Sequence, residues 1–299
     1  MIGKLRLALY LILSTAGPAL GQEWELGLFG GVSNYTGELT HDQILYFDET
    51  RFAGGFTALY NISPRFSARS NLLYGSIQGK DENAEDANFT GRNLSFRSDI
   101  FEVSMLGQFY LTGYDISEPK ISRSGSAYLF GGIALFNFDP QAQVLEDAPQ
   151  QMLDGGYQVN DWVSLQELGT EGQGQVQVGQ NETQGEVREL YSLTTFSIPF
   201  GIGYKYPFGD RISLGFEVGT RLTFTDYLDD VSKRYPLITE NNGYQNLKKG
   251  VVTAYFSDRT TNGSSSQNDF RGDPTDNDWY HFAGFTLTYT IMPDRCFYF

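Results

Sequence analysis

The stretch Tyr191-Ser-Leu-Thr-Thr-Phe-Ser-Ile-Pro-Phe-Gly-Ile-Gly-Tyr-Lys-Tyr206 runs through Pro-Phe-Gly-Asp-Arg211 into Ile212-Ser-Leu-Gly-Phe-Glu-Val-Gly-Thr-Arg-Leu-Thr-Phe-Thr-Asp-Tyr-Leu-Asp-Asp230. In the first run Phe196, Ile198, Phe200, Ile202 and Tyr204 share one face, and Thr195, Ser197, Gly201, Gly203 and Lys205 share the other. In the second, Ile212, Leu214, Phe216, Val218, Leu222 and Phe224 oppose Ser213, Gly215, Glu217, Gly219, Arg221 and Thr223. Successive strand side chains point to opposite faces, so this period of two predicts a hairpin of two half-buried strands. The alternation outlasts an ordinary soluble strand. It also exceeds the roughly 9–11 residues that a tilted strand needs to cross a bilayer.

The same unit recurs along the chain. Strands are predicted over 23–32, 51–62, 66–79, 94–111, 125–138 and 278–291, which with the hairpin makes an even set of eight. Their apolar faces carry Trp24, Leu26 and Leu28, then Phe52, Phe56 and Tyr60, then Leu72 and Tyr74, Phe101 and Val103, Leu129 and Ile133, and finally Phe285 and Leu287. The connections alternate in kind. Those at 33–50, 80–93, 139–190 and 231–277 are long and polar, whereas those at 63–65, 112–124 and 207–211 are shorter. That asymmetry is the pattern of an eight-stranded antiparallel transmembrane β-barrel with long extracellular loops and both termini periplasmic. Aromatics near strand ends, among them Trp24, Tyr60, Phe66, Tyr204, Tyr206, Trp279 and Tyr289, suit interfacial girdles. A soluble β-sandwich also alternates, but its strands are shorter and need no aromatic-rich face on every strand.

The N-terminus agrees with export. Lys4 and Arg6 precede the apolar run Leu7–Leu13, and Ala19-Leu-Gly21 offers the small residues of a cleavage site, so residues 1–21 read as a signal peptide. The barrel is then expected over 22–292, with a periplasmic tail over 293–299. The net charge of −15 argues against nucleic acid. It suits solvated loops, and the segment 139–190 concentrates it, with ten acidic residues and a single Arg. Within it Gly172–Gln180 is low in complexity and reads as a mobile loop.

An eight-stranded barrel has an interior that side chains fill, so no pore is expected. The inward set includes Glu25, Arg69, Glu102, Lys205, Glu217 and Arg221. Three acids and three bases in one lumen predict a self-neutralising charge network, because charges kept from water need partners. Outer-membrane barrel enzymes gather carboxylates, His or Ser at one rim, and here the histidines are His41 and His281. His281 near the end of the eighth strand, with Asp229 and Asp230 at the end of the seventh, makes a rim His–Asp pair geometrically possible. The sequence nominates no nucleophile or activated water beside it. A structural rim network is the simpler reading, and no enzyme, cofactor or catalytic residue is expected. Asp273, Asp276 and Asp278 with Asn277 form an acidic loop tip; oxygen clusters can bind calcium, but the spacing lacks the EF-hand pattern and solvated acidic loops are commoner, so no metal is assigned. Cys296 is the single cysteine, which in an exported chain suggests either an intermolecular disulfide at the periplasmic face or an inert thiol.

Several stretches carry a resemblance. They are Tyr35-Thr-Gly-Glu-Leu39, Trp162-Val-Ser-Leu-Gln-Glu-Leu-Gly-Thr-Glu-Gly-Gln-Gly174, Ile198-Pro-Phe-Gly-Ile-Gly-Tyr-Lys-Tyr206, Thr223-Phe-Thr-Asp-Tyr-Leu-Asp-Asp-Val-Ser232, Arg271-Gly-Asp and Asp278-Trp-Tyr-His-Phe282. Together they resemble the PorG-like outer-membrane proteins of the Bacteroidota type IX secretion system. The resemblance implies an integral outer-membrane barrel that contacts the periplasmic ring proteins of PorK/GldK and PorN/GldN type. It carries over no catalytic residues. The alternative is a surface-exposed binding or membrane-stabilising barrel that works through its long acidic loops.

Overall fold

The computed structural model describes residues 23–40, 47–83, 87–114, 125–177, 186–236, 247–260 and 270–291. Eight long strands follow the predicted alternation: β1 Glu23–Thr36, β2 Arg51–Ser63, β3 Phe66–Lys80, β4 Ser95–Tyr110, β5 Ser126–Gln143, β9 Thr194–Pro207, β10 Ile212–Thr223 and β11 Trp279–Ile291. Three short strands, β6 Trp162–Ser164, β7 Gln175–Gln177 and β8 Glu186–Arg188, lie in the long connection between β5 and β9. Every neighbouring pair in the ring is antiparallel. β1 pairs with β11 from Trp24↔Ile291 to Thr36↔Trp279, and the β4–β5 and β5–β9 pairings complete the circuit. The result is a closed eight-stranded antiparallel β-barrel that leaves none of these strands with an open edge. Among the described residues no helix is long and apolar enough to cross a membrane.

The outward face is an apolar belt. Leu28 on β1, Phe56 on β2, Met105 on β4, Ile133 on β5, Ile202 on β9 and Phe285 on β11 are all exposed, as are their neighbours two residues away along most strands. Soluble monomers seldom expose a contiguous apolar patch above a few hundred Å². Here the patch encircles the molecule, the outer-membrane type of surface. Its lower edge is aromatic: Trp24 packs on Tyr60 and Phe66 on Phe109, each with ring centroids 4.8 Å apart, and Arg211 donates to the Tyr289 hydroxyl at 3.0 Å.

The inward face explains the glycines that alternate with the belt residues. A Cβ on Gly201 or Gly219 would lie 2.5–2.6 Å from the Phe130 ring, so these positions are bare to let an aromatic of the neighbouring strand β5 lie across them. Above the belt β3, β4 and β5 continue upward, and β3 buries both of its faces over Ile77–Gly79. There Ile77, Phe96, Ile100, Phe136, Phe138 and Tyr280 build the main apolar core at the barrel mouth.

The long connections depart from the predicted solvated loops. β5 runs five residues past its expected end, because Gln141–Gln143 find a partner in β6. The helix Leu247–Ser257 brings Val252 and Phe256 against Ala142, Val144, Met152 and Leu165 in a second buried cluster. Thr170 and Glu171 are fully buried, and Gln173, inside the low-complexity stretch, is buried beside them. Glycine and glutamine, lacking a periodic pattern, gave no sequence sign of this packing. Among the described residues these segments form a cap over one barrel end, while the other end carries the shorter turns and the first and last strand ends, Glu23 and Ile291.

Candidate functional site

The six charges predicted to face inward meet as three cross-lumen pairs. Arg69 of β3 reaches Glu217 of β10 through two parallel hydrogen bonds, each 2.6 Å, and the Tyr128 hydroxyl donates to the same carboxylate at 2.8 Å. Arg221 of β10 donates from Nε to Glu102 of β4 at 2.9 Å, and Glu102 also accepts from the Tyr280 hydroxyl at 2.9 Å. Lys205 of β9 pairs with Glu25 of β1, whose oxygens take further donors from Asn61 at 2.8 Å and Thr288 at 2.9 Å. All six side chains are buried. Strand parity puts them in the lumen, and pairing across it ties opposite walls together. The space left beside Arg69, Gln108, Tyr128 and Lys205 is about 10 Å³, room for about one water.

Above this ladder the cap gathers acids. After Thr223 the alternation fails, and the chain turns inward: Thr223 Oγ1 donates to the Asp278 carbonyl at 2.6 Å and accepts from the Thr225 amide at 3.3 Å, ending β10 there. Leu228 and Val231 then plug the mouth at 0–1 % exposure. Asp229 and Asp230 are therefore not strand-end rim residues, as expected from sequence, but buried cap residues. Asp229 accepts from the Val231 amide at 2.8 Å and the Tyr35 hydroxyl at 2.7 Å. Asp278 accepts from the Leu228 amide and from the same Tyr35 hydroxyl, both at 2.8 Å. A phenol has one proton to give, so the two aspartates compete for it. Glu38 and Asp226 stand beside them; all four of their carboxylate oxygens are buried without a hydrogen-bond partner.

Electrostatics follow from that crowding. Burial pushes Asp226 up to about 7 and Asp229 up to about 8, the latter raised further by the Asp226 charge. Asp278 rises well above the usual carboxylate range through burial and then through Asp229 and Asp226, and Glu38 rises for the same reasons. A second acidic group is compensated. Arg271 lies 3.3 Å from Glu171 and 3.7 Å from Asp230, while Glu171 also accepts from the Ser232 and Lys233 amides. Asp230 takes further donors from Thr170 and Tyr191, and burial outweighs Arg271 to bring it to about 6. Arg92 pairs with Asp81 at 2.6 Å and donates to the Arg271 carbonyl, fastening the connection after β3 to the same cap.

Gly37 is the tight point of this packing. A Cβ there would fall 1.9 Å from Asp278 Oδ1 and 2.1 Å from the Tyr35 hydroxyl oxygen. Gly37→Ala should therefore loosen the cap by about 1–3 kcal/mol, the usual range for overpacking. Faster protease cleavage of the cap with strand content unchanged is the expected result; wild-type cleavage rates would contradict it.

The possible His281–aspartate pair does not form. His281 lies on the outward parity of β11, where its ring nitrogens each meet a threonine hydroxyl at 3.0 Å, Thr36 on one side and Thr220 on the other. Asp229 and Asp230 point into the cap. The acidic tip is likewise divided: Asp273 is exposed and accepts from Thr275, Asp276 and Asn277 are exposed, and Asp278 alone turns inward. His41, Cys296 and the expected signal peptide lie outside the described residues. Glu38, Asp226, Glu171, Arg271 and Tyr35 were not singled out as site residues, although each stands in one of the stretches that carry the family resemblance. Those stretches, scattered from Tyr35 to Asp278, converge in the cap, except for Ile198–Tyr206 in the wall. A cleft of about 670 Å³ opens beside them, lined by Glu38, Arg92, Arg271, Asp273, Asp276 and His281.

Residues 4–159 match the family model described as "Domain of unknown function (DUF6089)". No curated protein matches the sequence. Among solved structures, the chain is similar to a major outer membrane protein from Thermus thermophilus, at 11% identity and TM-score 0.38, covering 91% of this chain and 100% of that one. It is similar to Ail, the attachment invasion locus protein of Yersinia pestis, in complex with the heparin analogue sucrose octasulfate, at 7% identity and TM-score 0.37, covering 91% and 100%. It is also similar to Neisserial surface protein A, at 8% identity and TM-score 0.36, covering 91% and 99%.

Proposed function

The chain belongs to the DUF6089 family, and we propose that it is an outer-membrane barrel acting in type IX protein secretion as a non-enzymatic anchor for the periplasmic ring. The observation that carries a scaffolding role is the filled lumen. Three buried ion pairs and a cavity of about 10 Å³ argue for a protein that works through its surfaces rather than by passing solutes. The apolar belt supports residence among outer-membrane lipids, with the capped end outward and both termini periplasmic, since such barrels carry their longer loops outside. The secretion role and the PorK/GldK- and PorN/GldN-like partners rest on the sequence resemblance. Both ring nitrogens of His281 are engaged by threonine hydroxyls of the neighbouring segments, which supports a structural role for this residue.

Affinity isolation of the tagged full-length protein from native membranes tests the proposal. The ring proteins should co-purify, and a non-reducing gel should show a shifted band that Cys296→Ser abolishes if the bond to the partner is covalent. A preparation free of ring proteins, together with unchanged cargo export in a strain lacking the protein, would refute it. The cleft of about 670 Å³ favours one alternative, a surface barrel that binds an external ligand through its cap. Unchanged export with impaired surface binding would select that reading.

A further inference from the structure

We propose that Glu38, Asp226 and Asp278 form a binding site for one divalent cation of calcium type, which ties three separate cap segments together. Oxygens from the three side chains lie within 4.8 Å of one another. Ligand oxygens held 2.3–2.6 Å from a calcium ion lie up to about 5 Å apart, so this spacing admits a calcium shell without rearrangement. The smaller magnesium shell, at about 2.1 Å, requires the acids to close further.

Grouping of acids alone would say little. The second observation is Asp226, which is 7% exposed and has neither carboxylate oxygen hydrogen-bonded. A carboxylate so buried is expected to collect donors, as Glu171 does from two backbone amides and Arg271. Asp226 instead faces two other acids. Glu38 repeats the pattern, with both oxygens sealed and without donors. Asp278 is held in place by the Leu228 amide and the Tyr35 hydroxyl, and each of its oxygens keeps a lone pair to offer. Oxygen-only donors suit a hard cation.

The three ligands come from the connection leaving β1, the turn after β10 and the residue preceding β11. A cation held there fixes how those segments cover the barrel mouth. The cleft beside Glu38 supplies a route from solvent, and exposed Asp273 and Asp276 on its wall raise the local cation concentration. Arg92 and Arg271 also line that cleft but are engaged by Asp81 and by Glu171 with Asp230, so neither neutralises the three acids. The site is independent of the secretion reading, since it needs only the folded cap.

Isothermal titration of calcium chloride into the metal-stripped full-length protein in detergent micelles tests this, with melting followed in parallel. One calcium per chain is expected, with Kd of about 10⁻⁴–10⁻³ M as in extracellular calcium modules, and a melting temperature that rises with calcium. Asp226→Asn should weaken binding at least about tenfold, because it removes a charged ligand. Glu38→Gln serves as a second variant should the first fail to fold, and is expected to weaken binding similarly. Asp273→Asn, on the cleft wall but outside the ligand set, should bind within about twofold of wild type, as expected for an exposed charge. Absence of binding heat and melting shift in the wild type up to about 10 mM calcium, well above the weak limit of such modules, would overturn the site. So would wild-type affinity in Asp226→Asn and Glu38→Gln.

Discussion

Glu217→Ala should lower the free energy of unfolding by about 3–5 kcal/mol, the range for removing one member of a buried ion pair. Glu217 takes both terminal nitrogens of Arg69 at 2.6 Å and the Tyr128 hydroxyl at 2.8 Å. Its loss strands a guanidinium at 4% exposure, beside Asn71 at 2.8 Å and the Phe130 ring at 5.5 Å. Neither compensates a full charge. The Tyr128 hydroxyl loses its acceptor in the same step. The loss measures the stranded partner rather than the strength of the pair, so Arg69→Met combined with Glu217→Leu should recover most of it. Denaturant unfolding of the single and double variants in micelles supplies the cycle. If Glu217→Ala costs under about 1 kcal/mol, the pair behaves as a solvated surface bridge and the lumen is wet. That result would also remove the main support for a scaffold over a channel.

The strand register was legible because parity is a one-bit property. Once Phe196, Ile198 and Phe200 were placed outward, Lys205, Glu217 and Arg221 had to face inward, and six inward charges of balanced sign had to pair. The particular partners were not legible, since they depend on barrel stagger: Arg69 meets Glu217 rather than the equally inward Glu102. The cap was barely legible at all. Asp226, Glu38 and Asp278 lie far apart in sequence, in segments without periodicity, and only their closure over one mouth brings them together. β10 was expected to continue to Asp230 because Leu222 and Phe224 keep the alternation. The Thr223 hydroxyl, accepting from the Thr225 amide and donating to the Asp278 carbonyl, ends it sooner. His281 shows the same limit in reverse. Sequence placed it at the correct height, and its outward parity, which alone separates it from the cap aspartates, follows from counting two residues at a time from Trp279.

Val218→Arg is the substitution that separates a lipid-facing belt from a merely exposed apolar surface. Val218 lies midway between Ile212 and Phe224 on the outward face of β10, opposite Ile202 on β9 and Ala283 on β11, and is 42% exposed. On a water-facing surface an arginine there would change stability by no more than about 0.5 kcal/mol, and could even improve it by hiding apolar neighbours beneath its stem. In a bilayer the same side chain must leave water or drag it inward, and at mid-depth the loss should be about 2–4 kcal/mol. Ile212→Arg, at the lower end of the same strand, supplies the depth control. Its side chain can reach the interface, so the loss should fall to about 0–1 kcal/mol. Refolding equilibria of both variants in lipid vesicles give the comparison. A gradient between the two positions requires a hydrocarbon slab of defined depth around β10; equal small effects at both would leave the belt without a membrane and return the barrel to solution.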